Sequence, residues 1–101
     1  MISETKKIRL ILALRQSGIT NTGILAAMER VPRDRFVPEA FRDRAYDDVA
    51  LPIGHHQTLS QPSVVGRMTQ ALELGDRMKV LEIGTGAGYQ AAVLARLCRR
   101  L

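Results

Sequence analysis

The sequence is poor in cysteine and in aromatic residues, and it has no long apolar run. Its 101 residues include one cysteine, two tyrosines, two phenylalanines and no tryptophan. The single thiol, Cys98, cannot form an internal disulfide, and it falls on the apolar side of a helical pattern, so we predict a buried free cysteine and not a nucleophile.

No segment approaches the roughly 18 consecutive apolar residues of a membrane-spanning helix. Residues 1–7 lack the apolar block and cleavage site of a signal peptide, so we expect a cytoplasmic protein with no membrane partner.

Charge of one sign is in excess but never concentrated. Fifteen Lys and Arg residues against ten Asp and Glu give a net charge of +5 at pH 7, yet basic residues never run beyond neighbouring pairs. With so few aromatic rings there is no platform on which bases could stack. We therefore predict no nucleic-acid partner and a surface that mildly favours anionic substrates.

The most informative stretch is residues 79–89, KVLEIGTGAGY, in which a short apolar run gives way to glycines at alternate positions and then to a helical pattern. The pattern predicts a strand over residues 78–83 that is covered on both faces, a tight loop, and a helix over residues 89–101. The predicted helix buries Leu94, Leu97, Cys98 and Leu101. Glycines at alternate positions let a backbone turn sharply and approach a ligand closely, which is typical of nucleotide-type sites.

The glycine spacing argues against a dinucleotide. The dinucleotide fingerprint is G-x-G-x-x-G, whereas here Gly84, Gly86 and Gly88 alternate and Tyr89 stands where the last glycine would fall. Glu82, two residues before the first glycine, would repel a phosphate and attract a cationic ligand. On this stretch alone, a glycine-rich turn in some other α/β domain remains the alternative.

Two helices are predicted before this stretch, with a structural role. The first covers residues 5–16, with Ile8, Ile11 and Leu12 on its apolar side and Gly18 as its stop. The second is capped by Thr20 or Asn21 and ends at Pro32. Its apolar positions are Ile24, Leu25, Met28 and Val31.

Residues 32–54 read as a connection with a short helix over residues 39–44, anchored by Phe36, Val37, Phe41 and Tyr46. The polar run over residues 51–62, which overlaps the end of this connection, is predicted to be a ligand-facing loop.

Pro62 fits the first turn of a third helix that ends at Gly75. Its predicted buried stripe is Val64, Val65, Met68, Ala71 and Leu72. Ser60 either caps this helix or binds a carboxylate together with free N–H groups at the helix N-terminus, and the sequence leaves both readings open.

Four blocks in a fixed order resemble the protein-L-isoaspartate O-methyltransferases over nearly the whole chain. They are residues 28–38 (MERVPRDRFVP), 45–54 (AYDDVALPIG), 57–62 (QTLSQP) and 80–90 (VLEIGTGAGYQ). The resemblance implies an α/β protein with the Rossmann-like fold of S-adenosylmethionine-dependent methyltransferases, truncated after the first strand-loop-helix unit and mostly helical. Residues 1–75 would form a helical and substrate-loop region, and residues 76–101 the start of the cofactor-binding domain. His56 departs from the family, which usually has glycine there.

The function implied by the resemblance is methyl transfer from S-adenosylmethionine to the α-carboxylate of L-isoaspartyl residues in damaged proteins. Ser60 matches the active-site residue of the family. The implied substrate-binding residues are Gln57, Thr58, Leu59 and Ser60. The implied cofactor-binding residues are Glu82, Gly84, Thr85, Gly86, Gly88 and Tyr89. No metal is expected, because the neighbouring histidines lack further residues at ligand spacing.

The position of the chain end bears on this expectation. In nucleotide-binding α/β folds the acid that holds the ribose lies about 20 residues beyond the glycine loop, which is at or past Leu101 here. The alternative to a repair enzyme is therefore a catalytically inactive truncated fragment that acts as a helical or oligomeric module. Because a lone strand leaves its edges open, we also expect self-association through strand pairing.

Overall fold

In the computed structural model, which describes residues 2–101, four α-helices, two 3₁₀-helices and one hairpin follow one another. The α-helices are α1 (Ile2–Gln16), α2 (Thr22–Arg30), α3 (Pro62–Ala71) and α4 (Tyr89–Ala95). The 3₁₀-helices span Arg33–Phe36 and Glu39–Arg44, and the strands are β1 (Leu51–Gly54) and β2 (Gln57–Leu59). The mostly helical character expected from the sequence is confirmed, as is the short helix over residues 39–44.

The helical hairpin of α1 and α2 forms where the sequence predicts it. The Ile24 N–H donates to Asn21 Oδ1 at 3.0 Å, so Asn21 and not Thr20 is the cap of α2. The helix ends before Pro32, whose ring disfavours a helical residue ahead of it. The predicted apolar positions of α2 are all buried, and they join the main core.

The predicted buried face of α1 is wrong in part, since of its three apolar residues only Ile11 packs against the core. Ile8 and Leu12 are largely exposed, whereas Leu10 and Leu14 point into the core. Helix α1 carries apolar residues around most of its circumference, so helical spacing alone admits two faces. Packing against α2 and α3 selects the face of Leu14.

The predicted stripe of α3 is also wrong in part, because Met68, Ala71 and Leu72 are exposed. The buried face carries Val65 and two small residues, Gly66 and Thr69. A Cβ built on Gly66 would lie 2.4 Å from Ile19 Cδ1, so the absence of a side chain permits close approach of helix and loop. The helix ends at Ala71, ahead of the predicted stop at Gly75.

Strands β1 and β2 form an antiparallel hairpin in the region that the sequence predicts to be a loop. Leu51 pairs with Leu59, and Pro52 pairs with Thr58. The two turn residues, His55 and His56, have φ of 54° and 59°, as the favoured two-residue hairpin turns require. The prediction missed the hairpin because its turn lacks the usual Asn-Gly or Asp-Gly signal.

The strand predicted over residues 78–83 does not form. The only strand-like pairing of this part of the described chain is a parallel bridge between Lys79 and Arg100, in which the Val80 N–H donates to the Arg100 carbonyl at 2.8 Å. Leu81 and Ile83 are 84% and 88% exposed, not buried. A strand takes its backbone hydrogen bonds from neighbours, and no other segment among residues 2–101 lies alongside.

Helix α4 is shorter than predicted, because the chain leaves it after Ala95 and turns back toward Met78. Leu94 is buried as expected, but Leu97 and Cys98 lie outside the helix and are half-buried, and Leu101 is exposed. The prediction that Cys98 belongs to the core is therefore wrong. Tyr89, at the start of α4, and Val93, next to Leu94, complete the main core.

Candidate active site

A cavity of about 410 Å³ brings the two predicted functional segments together. Residues 57–60 will be called the substrate segment and residues 82–88 the glycine segment. Thr58, Leu59 and Ser60 line one side of this main cavity, and residues 82–87 line another. Apolar side chains of α3, Met68 and Leu72, also line it, which accounts for the face of α3 that the core leaves exposed.

A second cavity of about 290 Å³ adjoins the same segments. Gln57 lies on its wall, together with Gly86 of the glycine segment and the side chains of Arg35 and His55. The substrate segment therefore contributes Gln57 to one cavity and its next three residues to the other.

The substrate segment is held in place by a strand partner, a buried side chain and a hydrogen bond from Arg33. Leu59 is 6% exposed and pairs with Leu51 across the hairpin. The Arg33 guanidinium donates to the Ser60 carbonyl at 3.0 Å. Thr58 and Ser60 are exposed, and the Ser60 hydroxyl makes no hydrogen bond with any residue that the structure describes.

Ser60 does not cap α3. The cap position is Gln61, and the Ser63 N–H donates to Asp48 Oδ1 at 2.8 Å. The next two amides, of Val64 and Val65, donate to the Gln61 carbonyl. The predicted free N–H groups for a carboxylate are therefore already paired, and the Asp48 charge opposes a second anion there.

The sequence did not predict that the Asp48 side chain accepts a hydrogen bond from the start of α3. Asp48 lies 15 residues before Ser63, so no local spacing rule points to it. What remains at this edge of the cavity for an anionic substrate is the unpaired hydroxyl of Ser60.

The glycine segment turns as its composition predicts. Gly84, Gly86 and Gly88 have φ of 77°, 59° and 92°, all in the left-handed region that glycine adopts without strain. Gly88 is the cap residue of α4, and its N–H donates to the Thr85 carbonyl at 3.1 Å. Gly84 faces open space, so this stretch of backbone is accessible to a ligand.

Glu82 offers a specific indication of what the cavity binds. Its Oε1 atom is buried and has no hydrogen-bond partner among the residues described. A buried unpaired acceptor is costly, and it is satisfied when a donor or a cation binds beside it. Together with the open glycines, this acceptor fits the positively charged methyl donor implied by the sequence.

Tyr89 supports the glycine segment from within the core. Its side chain is 1% exposed, and its ring packs edge-on against Phe36 with centroids 5.7 Å apart. The Arg33 guanidinium carbon lies 4.8 Å from the ring centroid. Burial raises the pKa of the Tyr89 phenol, and the charge of Arg33 partly opposes the rise. Direct contact of Tyr89 with a cofactor stays a prediction.

The described part of the chain shows neither a metal-binding cluster nor a membrane-spanning helix. No group of three or more His, Cys, Asp or Glu side chains there is arranged to hold a metal ion. None of its helices is both long enough and apolar enough to cross a membrane.

A family model for protein-L-isoaspartate(D-aspartate) O-methyltransferase matches residues 5–101. The chain belongs to this family. The isoaspartate methyltransferase of Rhodospirillum rubrum is 68% identical over 97 residues, which are 96% of this chain and 44% of the relative. That of Rhodospirillum centenum is 60% identical over 101 residues, or 100% of this chain and 46% of the relative.

A solved structure titled protein-L-isoaspartate O-methyltransferase has the same fold in the shared region. It superposes with a TM-score of 0.77 at 30% sequence identity, covering 90% of this chain and 30% of its own. The Rossmann-like methyltransferase fold predicted from the sequence is thereby confirmed for this isoaspartate methyltransferase family member. The chain spans a little under half the length of the curated relatives that it matches.

Proposed function

We propose that the whole protein transfers a methyl group from S-adenosylmethionine to the α-carboxylate of L-isoaspartyl residues in damaged proteins. The observation that carries the proposal is the main cavity, which is lined by Ser60 on one side and by the glycine segment on another. A cytoplasmic location remains a prediction of the sequence.

Residues of the glycine segment would hold the cofactor, which supplies a methyl group on a positively charged sulfur when bound. Glu82 has a buried acceptor without a partner, and it is suited to a cationic or N–H-donating group. Gly84, Thr85 and Gly86 line the same cavity and bring backbone close to any occupant. Gly88 and Tyr89 set the direction in which the chain leaves this loop.

The acceptor chemistry asks little of the protein in proton transfer. A carboxylate is ionised at neutral pH, so it needs no general base to become a nucleophile. It needs desolvation and alignment with the methyl group. Leu59, Met68 and Leu72 give the cavity apolar surface against which a bound carboxylate would lose water, and the free hydroxyl of Ser60 can donate to a carboxylate oxygen.

Replacement of Ser60 by alanine tests the proposal in a protein of the family's full length. We expect turnover with an isoaspartyl peptide to fall by about tenfold or more, because one orienting hydrogen bond is lost. The dissociation constant of S-adenosylhomocysteine should change by less than about twofold, since the hydroxyl is not in the glycine segment. Ser17→Ala is the matched control, because that hydroxyl donates to the Leu14 carbonyl at the end of α1. Unchanged turnover in Ser60→Ala would remove Ser60 from the site.

A second function, that of an inactive helical or oligomeric module, is favoured by one observation on the 101-residue chain. Leu81 and Ile83 are exposed, and within the described residues the backbone beside them pairs with residues 99 and 100 at Met78, Lys79 and Val80. We propose that this segment self-associates in the chain as it stands. A calorimetric titration with S-adenosylhomocysteine separates the two functions, since binding favours the enzyme and a dimer that binds nothing favours the module.

A further inference from the structure

Arg33 is buried in an unusual way. Its side chain is 0% exposed, and no carboxylate among the described residues forms an ion pair with it. Arginine is almost never fully buried without a charged partner, because desolvating the cation is costly. The same desolvation lowers the pKa of Arg33 from its ordinary value.

Backbone carbonyls take the place of a carboxylate at Nε and Nη2, whereas Nη1 is buried without a partner among the described residues. Arg33 Nε donates to the Ala45 carbonyl at 2.8 Å, and Nη2 donates to the Ser60 carbonyl at 3.0 Å. The Val49 carbonyl lies 3.5 Å from the same Nη2. These carbonyls flank the hairpin, with Ala45 and Val49 ahead of β1 and Ser60 directly after β2. One planar guanidinium therefore fixes both ends of the hairpin to the first 3₁₀-helix.

The same guanidinium also reaches the other wall of the cavity. It lies against the ring of Tyr89, which is the first residue after the glycine segment. A cation over an aromatic face is attracted by the ring, and more strongly when both are out of water. Arg33 thus contacts the last residue of the substrate segment and the residue that follows the glycine segment.

We infer that Arg33 is a positioning residue that sets the substrate segment against the glycine segment and so determines where the Ser60 hydroxyl stands in the main cavity. The inference rests on the proposed function for its consequence in binding, but its geometric part stands without it. Holding the Ser60 peptide fixes the direction of the Ser60 Cα–Cβ bond. A displacement of a reacting group by about 1 Å can lower the rate about a hundredfold, so the position of the Ser60 peptide affects the reaction rate.

Arg33→Lys distinguishes positioning from simple charge burial. Lysine keeps the cation but has one compact ammonium, which cannot span the Ala45 and Ser60 carbonyls as the fork does. Arg33→Gln is the second variant, with a neutral donor of similar shape. Leu14→Ala is the control, because Leu14 is a core residue of α1 that makes none of these hydrogen bonds.

The first measurement is amide hydrogen exchange in the 101-residue chain, which needs no ligand. In Arg33→Lys we expect exchange in β2 to accelerate by about tenfold more than exchange in α2, because a charge-assisted bond beside β2 is lost. In Leu14→Ala both elements should accelerate by the same factor. Equal acceleration of β2 and α2 in Arg33→Lys would overturn the inference. Unfolding of both Arg33 variants would also overturn the inference, because the side chain would then be needed for folding alone.

The second measurement is the dissociation constant of an isoaspartyl peptide in the presence of S-adenosylhomocysteine. We expect about a tenfold rise in folded Arg33→Lys and Arg33→Gln and less than about a twofold change in Leu14→Ala. If the unmodified chain binds neither molecule, the proposed function of this chain fails, while the exchange experiment still decides the geometric role of Arg33. Equal peptide affinity in all three variants, with β2 loosened, would limit Arg33 to ordering the hairpin and would overturn its role in the site.

Discussion

The substrate segment and the glycine segment face the same cavity but are held in opposite ways. The substrate segment has a strand partner, a buried Leu59 and a hydrogen bond from Arg33. The glycine segment is anchored at its end by Tyr89, and the residues leading into it, Leu81 and Ile83, are exposed. A strand partner and a buried side chain fix the first segment, whereas the glycine segment keeps its turn through backbone conformation although the residues ahead of it are exposed.

The largest effect is expected from replacing one leucine in the substrate segment and comparing it with one leucine ahead of the glycine segment. Leu59→Ala should lower the free energy of unfolding by about 2–5 kcal/mol, because it opens a cavity in the core. Leu81→Ala should change it by less than about 0.5 kcal/mol, because the side chain is 84% exposed. Urea denaturation followed by circular dichroism measures both.

Equal losses in the two leucine variants would show that residues 78–83 are packed in solution. Sedimentation of Leu81→Ala measures whether this substitution also weakens self-association. A weaker dimer in this variant, with unchanged stability, is expected if the exposed segment drives self-association.

Gly86→Val tests the glycine segment by itself. Gly86 has φ of 59°, and a β-branched residue there adopts a left-handed conformation that costs about 1–2 kcal/mol. We expect the dissociation constant of S-adenosylhomocysteine to rise by about tenfold or more, because the side chain also enters the cavity. Gly18→Val is the control, because Gly18 also has a positive φ, of 108°, but does not line the cavity. Tight binding by Gly86→Val would mean that the glycine serves the turn alone.

Asp48→Ala tests a support of the substrate segment that is distant in sequence. Removing the acceptor of the Ser63 N–H should lower the free energy of unfolding by about 1 kcal/mol, as for other helix caps. Asp48→Asn keeps an acceptor oxygen and should lose less. If the alanine and asparagine variants are equally destabilised, the contribution of Asp48 is its charge and not its hydrogen bond.

His56→Gly is expected to be a small change, and unlike the variants above it should stabilise the protein. His56 has φ of 59° in the hairpin turn, where glycine avoids the Cβ strain, so the free energy of unfolding should rise by about 0.5–1 kcal/mol. Thermal denaturation would show this as a higher midpoint. His55→Gly, at φ of 54°, is the matched variant at the neighbouring turn position and should behave alike. A lower midpoint in His56→Gly would mean that the imidazole makes a favourable contact.

Local patterns were reliable where the signal and its cause lie within a few residues. The cap of α2 at Thr20 or Asn21, the end of α2 at Pro32, the start of α3 at Pro62 and the tight turn of the glycine segment were all predicted from neighbouring residues. The order of the motif blocks identified the family for the same reason, since each block is contiguous in sequence.

The sequence by itself determined the family, the helical segments and the residues proposed for the site. Only the tertiary structure decided which faces of α1 and α3 are buried, whether residues 78–83 form a strand, and that Arg33 and Asp48 support the substrate segment. Helical spacing describes one element, whereas burial depends on what packs against it. A strand likewise exists only where another backbone accepts and donates its hydrogen bonds, and the contacts of Arg33 and Asp48 join residues 12 to 27 positions apart, a separation at which no local pattern carries information.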